Sequence, residues 1–218
     1  MRQLLILCLA MAFAAHAQAQ RAGDRARSWE AGFHVVDMSS VLVADSAGSS
    51  IDVDNAVGYG FTGAYNVTNN FAVVLDYNWA TPDYVARFVP DGPGPVRTIS
   101  TELDITTIHV KAAYYFLNGS VTPFVELGLG WTNVDSNVLT GPPTTGCWWD
   151  PFWGYICESF YDTYSETDTS YSYGFGVRWD IAPEFMMRGS IGTLEVDIDS
   201  EGGDPSIDTV QFDFAWRF

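Results

Sequence analysis

Along nearly its whole length, this chain alternates apolar residues with small or polar ones. Because successive side chains of a β-strand point to opposite faces, a repeat of two residues predicts strands rather than helices. Eight segments show this repeat, and we therefore expect an all-β fold of eight strands. The apolar positions of these segments begin at Trp29, Val57, Phe71, Ile108, Val125, Tyr171, Phe185 and Val210.

The alternation changes phase at two points. Leu103 and Ile105 have the opposite parity to the apolar residues that follow them, and Leu194, Val196 and Ile198 leave the parity of the segment before them. A β-bulge would shift the phase by one residue. A strand that leaves an apolar environment would also change which of its faces is apolar, and the sequence is compatible with both explanations.

The connections between segments alternate between short and long, which favours an antiparallel up-and-down meander. The short ones have the length and the Asn, Gly and Pro content of tight turns. They are Asn66–Asn70, Asn118–Pro123 and Asp180–Pro183. Long connections, which are polar or rich in Gly and Pro, are predicted near 38–54, 80–98, 133–168 and 196–207.

The composition of the two faces indicates which of them is turned outward. The chain has 8 Trp, 11 Tyr and 14 Phe, and most of them belong to the apolar set of the alternation. An eight-stranded barrel has too narrow an interior for so many rings, whereas the Gly, Ala, Ser and Thr of the other set fit it. Segments of about 9–11 residues cross a bilayer when tilted, and only a closed barrel leaves no strand edge in hydrocarbon. We therefore predict an eight-stranded antiparallel up-and-down transmembrane β-barrel.

Charged residues occur in the set that faces the barrel axis. Buried charges need partners, so we predict an ion-paired network that fills and closes the lumen, in preference to a path for protons or ions. Glu30 shares the parity of this set. The predicted network comprises Asp76, Lys111, Glu126, Arg178, Glu184, Arg188, Asp213 and Arg217.

The N-terminus has the pattern of a cleaved secretory signal peptide. A positive start precedes the apolar run Leu4–Ala15, and small residues then allow cleavage after Ala17 or Ala19. A run of this length is too short to span a bilayer as a helix. The predicted organisation is a signal peptide at 1–19, a short periplasmic segment at 20–28 and the barrel at 29–218.

The C-terminus carries a family resemblance. The last residues alternate up to a terminal aromatic, with Phe214, Trp216 and Phe218 on one face, and this resembles the terminal signature of bacterial outer-membrane β-barrels. The resemblance implies recognition by periplasmic chaperones and the barrel-assembly machinery. The whole mature chain is similar to OmpA/OmpX-type barrels, with OmpW-type barrels as the near alternative. It implies a monomer in the bacterial outer membrane, in contact with outer-membrane lipid and lipopolysaccharide.

The third long loop contains Cys147 and Cys157, the two cysteines that remain after removal of the signal peptide. An oxidising compartment favours a disulfide between them. The aromatic residues between the cysteines would form an exposed binding patch, a small core within the loop, or a contact with the outer lipid headgroups.

The fourth long loop is acidic. Asp197, Asp199, Glu201 and Asp204 offer oxygen ligands for a weak Ca²⁺ site, although the spacing is not that of an EF-hand. A solvated acidic loop is the preferred interpretation, and we predict no other metal site.

Enzymatic and nucleic-acid functions find little support. A net charge of −17 argues against nucleic-acid binding. His34 and His109 lie on the inward parity, but no nucleophile motif accompanies either, and no cofactor motif is present.

We therefore expect a structural and interaction barrel with acidic extracellular loops, which supports envelope integrity or surface adhesion and is not an enzyme. The alternative, implied by the OmpW-type resemblance, is a narrow channel for small apolar solutes.

Overall fold

The structure is a computed structural model, and it describes residues 24–44, 48–89, 94–139, 144–160, 163–197 and 205–218. The predicted signal peptide lies outside these residues. Within them, no helix has the length and apolarity that a membrane-crossing helix needs. The strands are β1 (Ser28–Met38), β2 (Val41–Ala44), β3 (Ser50–Val53), β4 (Ala56–Asn66), β5 (Phe71–Ala80), β6 (Asp83–Phe88), β7 (Arg97–Glu102), β8 (Asp104–Tyr115), β9 (Val121–Leu139), β10 (Thr144–Asp150), β11 (Gly154–Phe160), β12 (Thr163–Ala182), β13 (Phe185–Val196) and β14 (Ser206–Arg217).

Eight of these strands form a closed barrel in the order β1-β14-β13-β12-β9-β8-β5-β4. Every neighbouring pair is antiparallel, and β1 closes the barrel by pairing with β14 from Glu30↔Arg217 to Met38↔Thr209. The predicted eight-stranded antiparallel barrel is therefore confirmed. We call the end that carries Ser28, Arg217 and the short connections the turn end, and the opposite end the mouth.

The two faces of the barrel wall are those that the alternation predicts. Phe61, Phe175 and Leu129 point away from the axis and are 61%, 60% and 68% exposed, whereas Ala72 and Val74 point inward and are fully buried. Small inward residues also let the wall accept large inward side chains. At Gly60, for example, a Cβ atom would lie 2.2 Å from His34 Nε2 and from the Tyr77 carbonyl oxygen.

The phase change near Leu103 and Ile105 is not a β-bulge. β8 pairs with β9 without a register shift from Asp104↔Asp135 to Tyr115↔Phe124, and both residues are buried. The same holds for Leu194 and Val196, which continue β13 in register and are buried. Ile198 lies outside the described residues. The strands thus extend past the outward apolar band, and there their inward face becomes apolar.

The segments predicted as long loops contain further strands. β2, β3, β6 and β7 form a four-stranded sheet at the mouth in the order β2-β3-β6-β7, which joins the first two long connections. The third connection is largely strand, because β9 and β12 have 19 and 20 residues and the hairpin β10–β11 lies between them. At about 3.3 Å per residue, these two strands are roughly 60 Å long, more than twice an apolar band of about 25 Å.

Candidate functional site in the lumen and at its mouth

An ion cluster lies in the lumen at the turn end. Arg178, which is fully buried, donates from Nη2 to Glu30 Oε1 at 2.6 Å and from Nη1 to Glu30 Oε2 at 3.1 Å. Its Nε also donates to Asp180 Oδ1 at 2.9 Å, and its guanidinium lies 5.1 Å from the ring centroid of Tyr115. The guanidinium of Arg25 lies 5.2 Å from the centroid of the same ring, and its Nη1 lies 3.7 Å from Asp180 Oδ2. We call Arg25, Glu30, Arg178 and Asp180 the turn-end ion cluster.

A second ion cluster lies nearer the middle of the barrel. Lys111 Nζ contacts Asp76 Oδ2 at 2.6 Å and Glu126 Oε1 at 3.2 Å. Arg188 Nη2 contacts Asp213 Oδ1 at 3.3 Å and Thr62 Oγ1 at 3.1 Å. Gln211 connects the two halves, since it accepts from Lys111 at 3.4 Å and donates to Asp213 at 2.9 Å. We call Asp76, Lys111, Glu126, Arg188 and Asp213 the mid-lumen ion cluster.

Two residues of the predicted network, Glu184 and Arg217, are not members of the two clusters as defined above. Glu184 is exposed in the turn before β13 and does not enter the lumen, because the alternation of that strand begins only at Phe185. Arg217 lies at the turn end, where its guanidinium donates to the Pro183 carbonyl oxygen and approaches Asp180 at 4.0 Å. Arg25 has a position in the lumen that the sequence did not indicate, since it precedes the first alternating segment.

His34 lies beside the mid-lumen ion cluster and is 1% exposed. Its Nδ1 is 3.9 Å from Asp213 Oδ1, and neither ring nitrogen has a hydrogen-bond partner among the described residues. Ligand atoms of His34, Asp76 and Asp213 lie within 4.8 Å of one another, which is a donor set of the type that binds divalent metals. Both carboxylates, however, already contact cations.

His109 belongs to a layer of hydroxyl groups on the mouth side of the ion clusters. Its Nε2 lies 2.8 Å from Ser170 Oγ and its Nδ1 lies 2.9 Å from Ser172 Oγ. Ser170 also accepts a hydrogen bond from Thr132 at 2.9 Å and is fully buried. This histidine is therefore held between two hydroxyl groups inside the lumen.

An apolar cavity of about 510 Å³ lies at the mouth, between the four-stranded sheet and the barrel. Its lining is mostly aliphatic and includes Val53, Leu103, Ile105, Val196 and Ile207. Three of the residues that change the phase in the sequence, Leu103, Ile105 and Val196, are thus part of its wall. The sequence predicted no cavity here, because a cavity depends on how the long connections fold back over the barrel.

Tyr84 packs beside this cavity on β6. It is 4% exposed, and its hydroxyl donates to the Ser136 carbonyl oxygen at 3.1 Å. Burial raises the pKa of Tyr84. The hydroxyl therefore stays protonated and joins the small sheet to β9 at physiological pH.

The β10–β11 hairpin carries the predicted disulfide. Cys147 and Cys157 are directly paired across the two strands and form a disulfide bond. Trp149, Phe152, Trp153 and Tyr155 on this hairpin are exposed, Phe152 to 89%. Their exposure does not fit a self-packed core and leaves the other two alternatives, a binding patch and a contact with lipid headgroups.

The weak Ca²⁺ site predicted in the fourth long loop falls largely outside the described residues. Asp199, Glu201 and Asp204 lie outside the described residues. Asp197 is described, and it is exposed at the end of β13.

Comparisons with known proteins agree with the barrel architecture. A family model described as the outer membrane protein beta-barrel domain matches residues 5–218. OprG of Pseudomonas aeruginosa is 14% identical over 91% of this chain and 99% of that chain, with a TM-score of 0.53. Neisserial surface protein A is 12% identical over 87% of this chain and 95% of that chain, with a TM-score of 0.51. No curated protein matches the sequence. At these identities, the likeness to solved structures shows the fold alone.

Proposed function

We propose that this chain, which belongs to the outer membrane protein beta-barrel domain family, is a structural barrel of the bacterial outer membrane that acts through its surface. In this proposal the lumen is closed to ions, and the mouth and its loops face the outside. The outward aromatic band contacts lipid and lipopolysaccharide, and Phe214, Trp216 and Phe218 are recognised during assembly. The protein supports envelope integrity or surface adhesion as a monomer and catalyses no reaction.

The observation that supports this proposal is that the ion clusters connect opposite walls of the lumen. The mid-lumen ion cluster includes side chains from β5, β8, β9, β13 and β14. The turn-end ion cluster adds contacts between β12 and β1, where Arg178 and Glu30 meet. The ion pairs of the mid-lumen ion cluster join adjacent strands, and contacts to Gln211, Thr62 and Glu30 connect strands that are not neighbours in the barrel. Opening a water-filled path would therefore require breaking several charge-assisted contacts at once.

The interaction part of the proposal is supported by the β10–β11 hairpin. The hairpin presents Trp149, Phe152 and Trp153 to solvent, and the Cys147–Cys157 disulfide constrains their spacing. Contiguous exposed aromatic side chains are characteristic of surfaces that bind a partner. Closing a loop of this size with a disulfide contributes roughly 2–3 kcal/mol of local order.

Planar-bilayer conductance tests the closed lumen. We expect the wild-type barrel to give no steady openings above background. We expect the Lys111→Ala variant to give cation-selective openings, because it leaves Asp76, Glu126 and Asp213 facing the axis with fewer cations between them. Arg97→Ala, at an exposed position of β7, is the matched control and should behave as wild type. Steady openings of the wild-type protein would contradict the proposal.

A second candidate function is supported by the cavity at the mouth. A volume of about 510 Å³ with a mostly aliphatic lining has the size and chemistry of a small-molecule site. In this second proposal, the mouth binds small apolar solutes, as the alternative interpretation of the sequence expects. Because the ion clusters lie beneath the cavity, the solute would enter the mouth without crossing the lumen.

Binding of 1-hexanol to the barrel in lipid nanodiscs tests this second function. We expect saturable binding in calorimetry after subtraction of protein-free nanodiscs. Val134→Phe should weaken it at least several-fold, because Val134 lines the cavity on the barrel wall and the larger ring would occupy the space. Val85→Phe adds the same bulk on β6 outside the cavity lining and should leave binding unchanged. Equal binding by both variants would exclude this cavity as the site.

A further inference from the structure

The lining of the cavity at the mouth has two chemically different parts. Aliphatic residues of β3, β8, β13 and β14 form one part, which we call the aliphatic side, and they include Val53, Ile105, Val196 and Ile207. β12 supplies a polar wall to the same cavity, and we use this name for Tyr164, Ser165, Glu166 and Asp168. A ligand that fills the cavity therefore meets both an aliphatic surface and two carboxylates.

The charge of the polar wall is uncompensated. Among the described residues, neither Glu166 nor Asp168 takes part in an ion pair, and the lining contains no Lys, Arg or His. The acids of the two ion clusters differ in this respect, because Glu30, Asp76 and Asp213 all contact cations. Glu166 is exposed and Asp168 is half-buried, and both residues line the cavity.

We propose that the cavity selects small amphiphilic cations: molecules with a short hydrocarbon body and one ammonium group. This inference rests on the second proposed function and names its ligand class. The hydrocarbon part packs against the aliphatic side, and the ammonium group is placed against Glu166 and Asp168. An ammonium group loses hydration when it enters an apolar site, and a carboxylate at the wall offsets that loss. A carboxylate ligand of the same length is repelled.

Three ligands with the same six-carbon chain separate the charge effect from apolar burial. Hexylammonium, 1-hexanol and hexanoate are titrated into the barrel in neutral-lipid nanodiscs at pH 7, with protein-free nanodiscs as the blank. We expect hexylammonium to bind about 3- to 10-fold more tightly than 1-hexanol, since partly exposed charge pairs have effects of this size. Hexanoate should bind most weakly, and the advantage of the cation should fall as salt is added.

The double variant Glu166→Gln, Asp168→Asn removes both charges while conserving side-chain size. We expect it to abolish the preference for hexylammonium over both 1-hexanol and hexanoate. The double variant Asp83→Asn, Glu102→Gln is the matched control, because these paired acids of β6 and β7 lie outside the cavity lining. It should retain the full preference for the cation.

The possible results separate this inference from the function on which it rests. If 1-hexanol binds in the cavity but hexylammonium shows no advantage, or keeps its advantage in the Glu166→Gln, Asp168→Asn variant, the charge selectivity is wrong and the apolar-solute function stands. If none of the three ligands binds, both are wrong. Shifted electrophoretic migration of the unheated barrel verifies that each variant is folded.

Discussion

Replacing Arg178 by Met should destabilise the barrel by about 3–5 kcal/mol, the range observed when one partner of a buried ion pair is removed. Arg178 is fully buried, and it contacts both Glu30 and Asp180. Without the guanidinium, the carboxylates of Glu30 and Asp180 remain buried in the lumen, where little water is available to solvate them. Urea-induced unfolding in phospholipid vesicles, followed by tryptophan fluorescence, measures the change.

Two further variants define the origin of this effect. The double variant Arg178→Met, Glu30→Gln should be more stable than Arg178→Met alone, because it replaces one of the two buried carboxylates by a neutral amide. Arg97→Met makes the same change at an exposed position of β7 and should stay within about 0.5 kcal/mol of wild type. If Arg178→Met were as stable as Arg97→Met, the turn-end ion cluster would not contribute to the stability of the barrel.

The assignment of faces was predictable because a strand has only two of them. Once Phe175 is placed toward lipid, Gly174 and Gly176 must face the axis, and the same logic places Lys111 and Arg188 inside. Parity also places His34 and His109 correctly. Parity therefore predicts the inward position of those charges that lie within the alternating segments.

Partner choice within the lumen was not predictable from parity. Glu30 and Arg178 are separated by 148 residues, and they meet across the axis because the register of all eight strands sets their heights. Glu184 has a suitable parity, but it lies in a turn, where alternation has no meaning. Arg25 contributes a buried charge from a segment without any periodic pattern.

The mouth was the least predictable region. β2 and β3 have four residues each, which is too short for a periodicity argument, and β3 pairs with β6 from a different connection. The change of phase at Leu103 and Leu194 nevertheless indicated that an apolar element covers the barrel here. Inward apolar residues above a polar lumen indicate that something apolar covers them, and here it is the four-stranded sheet.

Placing an arginine at Leu127 should destabilise the barrel in a lipid bilayer by about 2–4 kcal/mol, the cost of a cation at the midplane of the lipid face of a transmembrane barrel. Leu127 is 67% exposed on β9, between Ala112 and Tyr173 of the neighbouring strands. On the surface of a soluble protein, an exposed leucine tolerates such a change with an effect of about 0.5 kcal/mol. The size of the change in the free energy of unfolding therefore indicates whether lipid or water surrounds this face of the barrel.

Val85→Arg is the matched control for this prediction. Val85 is an exposed aliphatic residue of a β-strand as well, at 38%, but it lies in the four-stranded sheet at the mouth. We expect Val85→Arg to change the free energy of unfolding in vesicles by less than about 0.5 kcal/mol, because water reaches this sheet. Equal, small effects of both substitutions would mean that the outward aromatic and aliphatic band is not embedded in hydrocarbon. A large effect at Leu127 alone would place the boundary of the apolar band between these two positions.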